Sequence, residues 1–266
     1  MPEQPLVLME QHENGVAIVT LNRPEKRNAM SSAAQQALLE AFDRCRGESK
    51  VVILTGAGPA FCAGVDLKEQ QEREAQGIHE RQFANGSNSW IEVQEAIRRH
   101  PAIFVAAVNG FALGGGTTLI NSCDLAIAAN EAQIGMPEVG FGMYPGMAGP
   151  STQLRILPKH AAWMVLTAER IDGQTAERWG LVNRSVPLAE LMETALALAD
   201  RLAQLDAVTL DWCKKALWEI PMHVQDWLPA LEFGQYVGNA IRANTGAIGE
   251  GLGRFAAGQR NVGQGA

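Results

Sequence analysis

A chain of 266 residues that is 47% hydrophobic and 19% charged has apolar content enough for a sizeable core and too little charge for a disordered chain. Its net charge of −7 disfavours a general nucleic-acid binder, although a few local Lys and Arg residues can still hold phosphates. No apolar run reaches the roughly 18 residues that span a bilayer, and Met1 to Gln11 carries Glu3 and Glu10 with no basic flank, so neither a secretory signal nor a transit peptide is expected and a cytoplasmic location follows by default.

In chain order, Val16–Leu21 reads as a buried strand closed by Asn22-Arg-Pro24. Ser32, with Gln35 three residues on, has the pattern of a capping box and predicts a helix with Ala37, Leu38, Ala41, Phe42 and Cys45 on its apolar face. Residues 51–55, 103–108 and 125–128 read as three further strands. All four are continuous apolar runs, which predicts strands covered on both faces, and helices between them predict an α/β fold. A polar stretch over 68–88, with Glu69, Glu72, Arg73, Glu74, Glu80 and Arg81, is expected to be a mobile helix or loop over a site. An amphipathic helix is expected over 188–204, on Leu188, Leu191, Ala195, Leu198 and Leu202. The helical pattern then runs through Trp218, is expected to break at Pro221, and resumes over 224–243; the last 20 residues are Gly-rich, with Phe255 as one aromatic anchor.

Four cysteines (Cys45, Cys62, Cys123, Cys213) lie far apart without a CxxC pair, which predicts buried free thiols rather than disulfides or a zinc site. His12, His79, His100, His160 and His223 are scattered and form no triad with Ser or Cys. Trp163, Trp179, Trp212, Trp218 and Trp227 are expected in the core or at subunit interfaces, and Asp124 is expected to support the strand at Leu125.

Two glycine-containing turns follow the second and third strands, Gly56-Ala-Gly-Pro-Ala-Phe-Cys-Ala-Gly-Val-Asp-Leu67 and Asn109-Gly-Phe-Ala-Leu-Gly-Gly-Gly-Thr-Thr-Leu119. Each lies where a strand hands over to a helix, so backbone N–H groups at the helix start are left without internal partners and face an anion with the helix dipole behind them. Two such corners converging on one point would form an oxyanion hole. Gly110-x-x-x-Gly114-Gly-Gly116 does not match GxGxxG and has no P-loop Lys, so neither nucleotide-binding pattern applies.

Asn22-Arg-Pro with Asn28-Ala, Ala60-Phe-Cys-Ala-Gly-x-Asp-Leu67 and Ala107-Val-Asn-Gly-Phe-Ala-x-Gly-Gly-Gly116 resemble the crotonase (enoyl-CoA hydratase/isomerase) family in order and spacing. Cys123-Asp-Leu-Ala-Ile-Ala128, Pro137-Glu-Val-Gly140, Tyr144-Pro-Gly146 and Gly180-Leu-Val182 extend the resemblance over residues 7–257. It implies a spiral of ββα units over 1–200, a helical oligomerisation region over 201–266, and assembly as a homotrimer or a dimer of trimers. It implies an acyl-CoA substrate, with coenzyme A part of the substrate, and neither a metal nor a separate cofactor. The oxyanion donors would be the backbone N–H groups of Val65 and Gly115. Contacts to coenzyme A would come from Ala63, Val65, Asp66 and Leu67, with Lys26, Arg27 and Lys68 as basic candidates. Gly258 stands where the family often carries a Lys, with Arg260 the nearest cation.

At the acid and base this sequence departs from the family's hydratases, which carry two Glu residues. Here the first position is Thr118 and only the second, Glu138, is a carboxylate. The apolar neighbours Met136, Pro137, Val139 and Phe141 should raise the pKa of Glu138 and suit it to proton shuttling. A single Glu fits enoyl-CoA isomerases and hydratase-type lyases. It also fits acyl-CoA decarboxylases and hydroxycinnamoyl-CoA hydratase-lyases, which pair a Ser at the Thr118 position with this Glu but carry a Tyr where Gln70 stands. Carbon–carbon bond hydrolases and peptidases share the scaffold, but no activated nucleophile is visible. RNA binding, seen in a branch with a lysine-rich helix, is disfavoured because residues 31–46 contain no Lys.

Overall fold

The computed structural model describes residues 4–76, 89–224 and 226–258. Glu80 and Arg81 of the polar stretch, His79 and Arg260 lie outside the described residues, as do the side chains of Glu74 and Phe255.

The four apolar runs form Val16–Leu21 (β2), Val51–Gly56 (β3), Ile103–Val108 (β5) and Leu125–Ala129 (β7), parallel neighbours in one sheet. Val7–Gln11 (β1) runs antiparallel along β2, and Arg184–Val186 (β9) closes the far edge, giving the order β1-β2-β3-β5-β7-β9. Every residue of β5 is buried, which accounts for its uninterrupted hydrophobicity. A second sheet has the order β4-β6-β8 and is made of Ala60–Cys62 (β4), Phe111–Leu113 (β6) and Gln133–Gly135 (β8), all parallel.

The helices are Ser32–Cys45 (α1), Leu67–Ala75 (α2), Ser89–Arg99 (α3), Gly115–Ser122 (α4), Ala148–Gln153 (α5) and Pro158–Thr167 (α6), then Gly173–Trp179 (α7), Leu191–Ala203 (α8), Ala207–His223 (α9), Trp227–Asn244 (α10) and Ala247–Ala256 (α11). A repeat emerges along the chain. β3-β4-α2 and β5-β6-α4 each send one strand to the large sheet, one to the small sheet, and then a helix outward. β7 and β8 repeat the pattern and end in a 3-10 turn, Pro137–Phe141. This is the expected spiral of ββα units.

Several local expectations are corrected. The cap of α1 is Ser31, whose hydroxyl accepts from the Ala34 amide, while the Ser32 amide donates to the Glu69 carboxylate. Pro221 lies inside α9 and the break comes after His223, because a proline in the last turn removes only one helical hydrogen bond. Residues 188–190 form a separate 3-10 turn before α8. Cys45, Cys62 and Cys123 are buried and free, but Cys213 is exposed on α9. Trp163 and Trp227 are 51% and 77% exposed, so neither is a core residue. No helix among the described residues is long and apolar enough to cross a membrane.

Candidate active site

The small sheet brings the candidate residues to one edge. Cys62 pairs with Ala112 and Leu113 pairs with Gly135, all in parallel. The segments that leave the three strands, 63–65, 114–116 and 136–138, therefore emerge at one edge.

The first two of these turns interlock. Gly64 has φ +91°, a conformation that suits glycine, and a Cβ on it would lie 2.8 Å from the Leu113 carbonyl oxygen and 3.2 Å from the Gly115 amide nitrogen. A Cβ on Gly115 would lie 3.1 Å from the Trp90 ring and 3.2 Å from the Gly64 Cα. One on Gly116 would fall 2.0 Å from the Cys62 carbonyl oxygen. Only bare backbone fits at this crossing.

Val65 bridges to Met30, with the Met30 amide donating to the Gly64 carbonyl at 2.8 Å and the Asp66 amide donating to the Met30 carbonyl at 3.1 Å. The Val65 N–H takes no part in that bridge. Gly115 opens α4, so its N–H has no partner within the helix. Both residues are half-buried, within reach of a ligand.

Glu138 reaches the same place from the 3-10 turn after β8. Its Oε1 would lie 2.6 Å from a Cβ on Gly114, and its buried Oε2 has no hydrogen-bond partner among the described residues. Burial raises its pKa above the ordinary carboxylate value, and a hydrogen bond to its own backbone opposes the rise. Thr118 lies one helical turn beyond Gly114. It is 3% exposed, and its hydroxyl makes a long 3.4 Å bond to the Gly114 carbonyl. Trp90, on α3, escaped the sequence reading; its position beside Gly115 could have been suspected only from the amphipathic pattern of 89–99.

The candidates for coenzyme A are dispersed around this edge. The Ala63 amide already donates to the Arg27 carbonyl at 3.0 Å, and the Asp66 amide is engaged with Met30, so neither N–H is open to a ligand. The Asp66 carboxylate accepts from Arg23 at 3.1 Å. Burial pushes its pKa up, but hydrogen bonds from the Glu69 amide and from Arg23 bring it below the ordinary range. Leu67 is 48% exposed. Lys26 is exposed, and Lys68 faces Glu72 at 3.8 Å. The Arg27 guanidinium lies 5.2 Å from the centroid of the Phe111 ring, with Arg170 at 5.4 Å.

Comparison with known proteins adds to this geometry. A family model described as enoyl-CoA hydratase/isomerase matches residues 11–221. A short-chain-enoyl-CoA hydratase of Clostridium acetobutylicum is 38% identical over 215 residues, 79% of this chain and 80% of the relative. A hydroxycinnamoyl-CoA hydratase-lyase of Pseudomonas fluorescens is 34% identical over 219 residues, 78% of this chain and 79% of the relative. Among solved structures, an enoyl-CoA hydratase of Mycobacterium smegmatis superposes with TM-score 0.84 at 28% identity, covering 97% of this chain and 98% of the other. A monofunctional enoyl-CoA isomerase of the same genus superposes with TM-score 0.70 at 32% identity, covering 84% of this chain and 96% of the other.

Proposed function

Because the chain belongs to the enoyl-CoA hydratase/isomerase family, we propose that it acts on an acyl-CoA thioester through an enolate whose oxygen is held by the amides of Val65 and Gly115, with Glu138 as the single acid and base. The carrying observation is the desolvated Glu138 with its unpartnered Oε2 beside the two interlocked glycine turns. Each amide contributes about 3 kcal/mol to the developing oxyanion, because it is fixed in place before charge appears. That acidifies the α-carbon. Glu138 then takes a proton at one carbon and returns it at another, which moves the double bond. Its raised pKa suits both halves of the cycle. Water addition would use the same carboxylate, with the Thr118 hydroxyl supplying a hydrogen bond rather than a second base.

Conversion of a 3-enoyl-CoA to its 2-enoyl isomer, followed by the ultraviolet absorbance that appears when the double bond comes into conjugation with the thioester carbonyl, tests this reading. Glu138→Gln should lower kcat by about 10²–10⁴-fold and leave product binding close to that of the parent. A variant as active as the parent removes Glu138 from its role.

A second reading, carbon–carbon cleavage of an aromatic thioester, draws on the Thr118 hydroxyl and on the likeness to the Pseudomonas fluorescens hydratase-lyase. Release of an aldehyde from a hydroxycinnamoyl-CoA would favour it; return of intact thioester would not. For assembly, the large apolar side chains exposed on α9 and α10, among them Leu217 at 75%, Trp227 at 77% and Leu228 at 62%, support a homotrimer or a dimer of trimers. Light scattering giving a monomer's mass would reject that.

A further inference from the structure

A cavity of about 380 Å³ lies between α3, α4, α5 and α9 and extends away from the reacting turns. Thr118 stands at its near end, and Asn121 and Ser122 follow along α4. The facing helix α3 runs in the same direction, since Trp90 meets Gly115 and Gln94 accepts a hydrogen bond from the Ser122 hydroxyl. At ~1.5 Å of rise per residue, Arg98 lies about 12 Å beyond Trp90. The cavity therefore prolongs the thioester site in the direction an acyl chain would take.

Its lining is largely apolar, with Ile91, Met147, Leu154, Trp218 and Met222, but two arginines stand toward its far end. Arg98 and Arg155 lie on the ring of Trp218, 3.8 Å and 4.0 Å from its centroid. Arg155 donates twice to the Asn121 carbonyl, at 3.2 Å and 3.1 Å, which leaves the rest of its guanidinium free to bind. Neither guanidinium pairs with a carboxylate among the described residues. Glu95, the acidic lining residue, is held by Arg99 at 2.7 Å. Gln94 Nε2 and Asn121 Oδ1 are buried without a hydrogen-bond partner among the described residues. An alkyl tail would satisfy none of these groups, whereas a carboxylate accepts from the guanidiniums and from the Gln94 amide; Asn121 Oδ1, itself an acceptor, gains nothing from an anion.

Resting on the coenzyme A reading above, we propose that this cavity receives an acyl chain whose far end is a carboxylate, held by Arg98 and Arg155, so that the substrates are CoA monothioesters of dicarboxylic acids. The two arginines set specificity at the end of the chain remote from the reacting carbons.

Titration calorimetry with octanoyl-CoA and with the CoA monothioester of octanedioic acid tests the assignment. The parent should bind the dioic thioester at least about tenfold more tightly, as charge-assisted bonds to a bidentate donor require. Arg98→Gln and Arg155→Gln should each cut that preference to about threefold or less, with octanoyl-CoA binding unchanged. Arg98→Lys should retain more of the preference than Arg98→Gln, because it keeps the charge. Equal or tighter binding of octanoyl-CoA by the parent overturns the proposal while leaving the coenzyme A reading intact. Parallel loss of both ligands in the Gln variants also overturns it, since the stack on Trp218 would then be structural. Binding of neither thioester by the parent removes the coenzyme A reading, and this one with it.

Discussion

Glu138 sits in an environment that works against its charge. Burial raises its folded pKa above the unfolded value, so the fold favours the protonated form. The stability this gives is fully present below the unfolded pKa and is lost as pH rises through the folded pKa. A neutral Gln in its place escapes that loss. Glu138→Gln should therefore melt higher than the parent at pH 7, with the gap closing as pH falls to about 4, where both side chains are neutral. Thermal melts of the two proteins at both pH values check the sign; a variant that melts lower at pH 7 would mean that Glu138 makes a stabilising contact instead. The cysteines give a second residue-scale outcome. Burial pushes the Cys62 thiol up to about 12, opposed by the Gly64 amide, which donates to it at 3.4 Å. Cys45 and Cys123 are also buried and raised; partial burial raises Cys213 too, but it alone is exposed. A thiol reagent should modify one cysteine per native chain, and Cys213→Ser should abolish that reaction.

At the scale of elements, the two glycine corners function as one object. Gly64→Ala combines a left-handed φ with a contact to the Leu113 carbonyl oxygen, so it should be costly to the fold, by about 1–3 kcal/mol in denaturant melts. Gly115→Ala meets the Trp90 ring at 3.1 Å and the Gly64 Cα at 3.2 Å, close contacts that the turn accommodates only by shifting the Gly115 amide by a few tenths of an ångström. It should fold but lose about 10²-fold in kcat, since one of the two proposed oxyanion donors moves. Full activity in both variants would show that the amides serve no shared oxygen. The same elements show what the sequence made legible. Four buried strands could be read because a continuous apolar run of five or six residues is too short for a helix and suits a strand covered on both faces. β4, β6 and β8 have only three residues each, too few to show any period, and without them nothing places Glu138 beside Gly114. Motif order, not periodicity, carried the site residues. Arg98 and Arg155 carried no motif, and only packing against Trp218 gathers them.

At the scale of the molecule, the C-terminal helices are tied to the spiral core through one buried charge. Lys214 of α9 donates to the Ile97 and Ala102 carbonyls, both at 2.8 Å, and to Asp124 at 2.9 Å, with its side chain 1% exposed. Burial lowers its pKa and the charge of Asp124 opposes that shift. Asp124 in turn accepts from the Phe104 amide of β5 at 2.8 Å and from the Trp218 indole at 3.2 Å, so it supports the neighbouring strand and α9 rather than β7 alone. Lys214→Met fills a similar volume but leaves the half-buried Asp124 carboxylate and two carbonyls without their cation. It should cost about 3–5 kcal/mol, a fall in Tm on the order of 10 °C. Adding Asp124→Asn should recover part of the loss, because the stranded charge is then removed. Because α9 also carries Trp218, and with it one wall of the cavity, Lys214→Met should weaken the preference for the dioic thioester while the isomerisation proposed for Glu138 persists. Melting the single and double variants and titrating each with both thioesters separates the two effects. A Lys214→Met protein as stable as the parent would place the anchoring of α9 elsewhere.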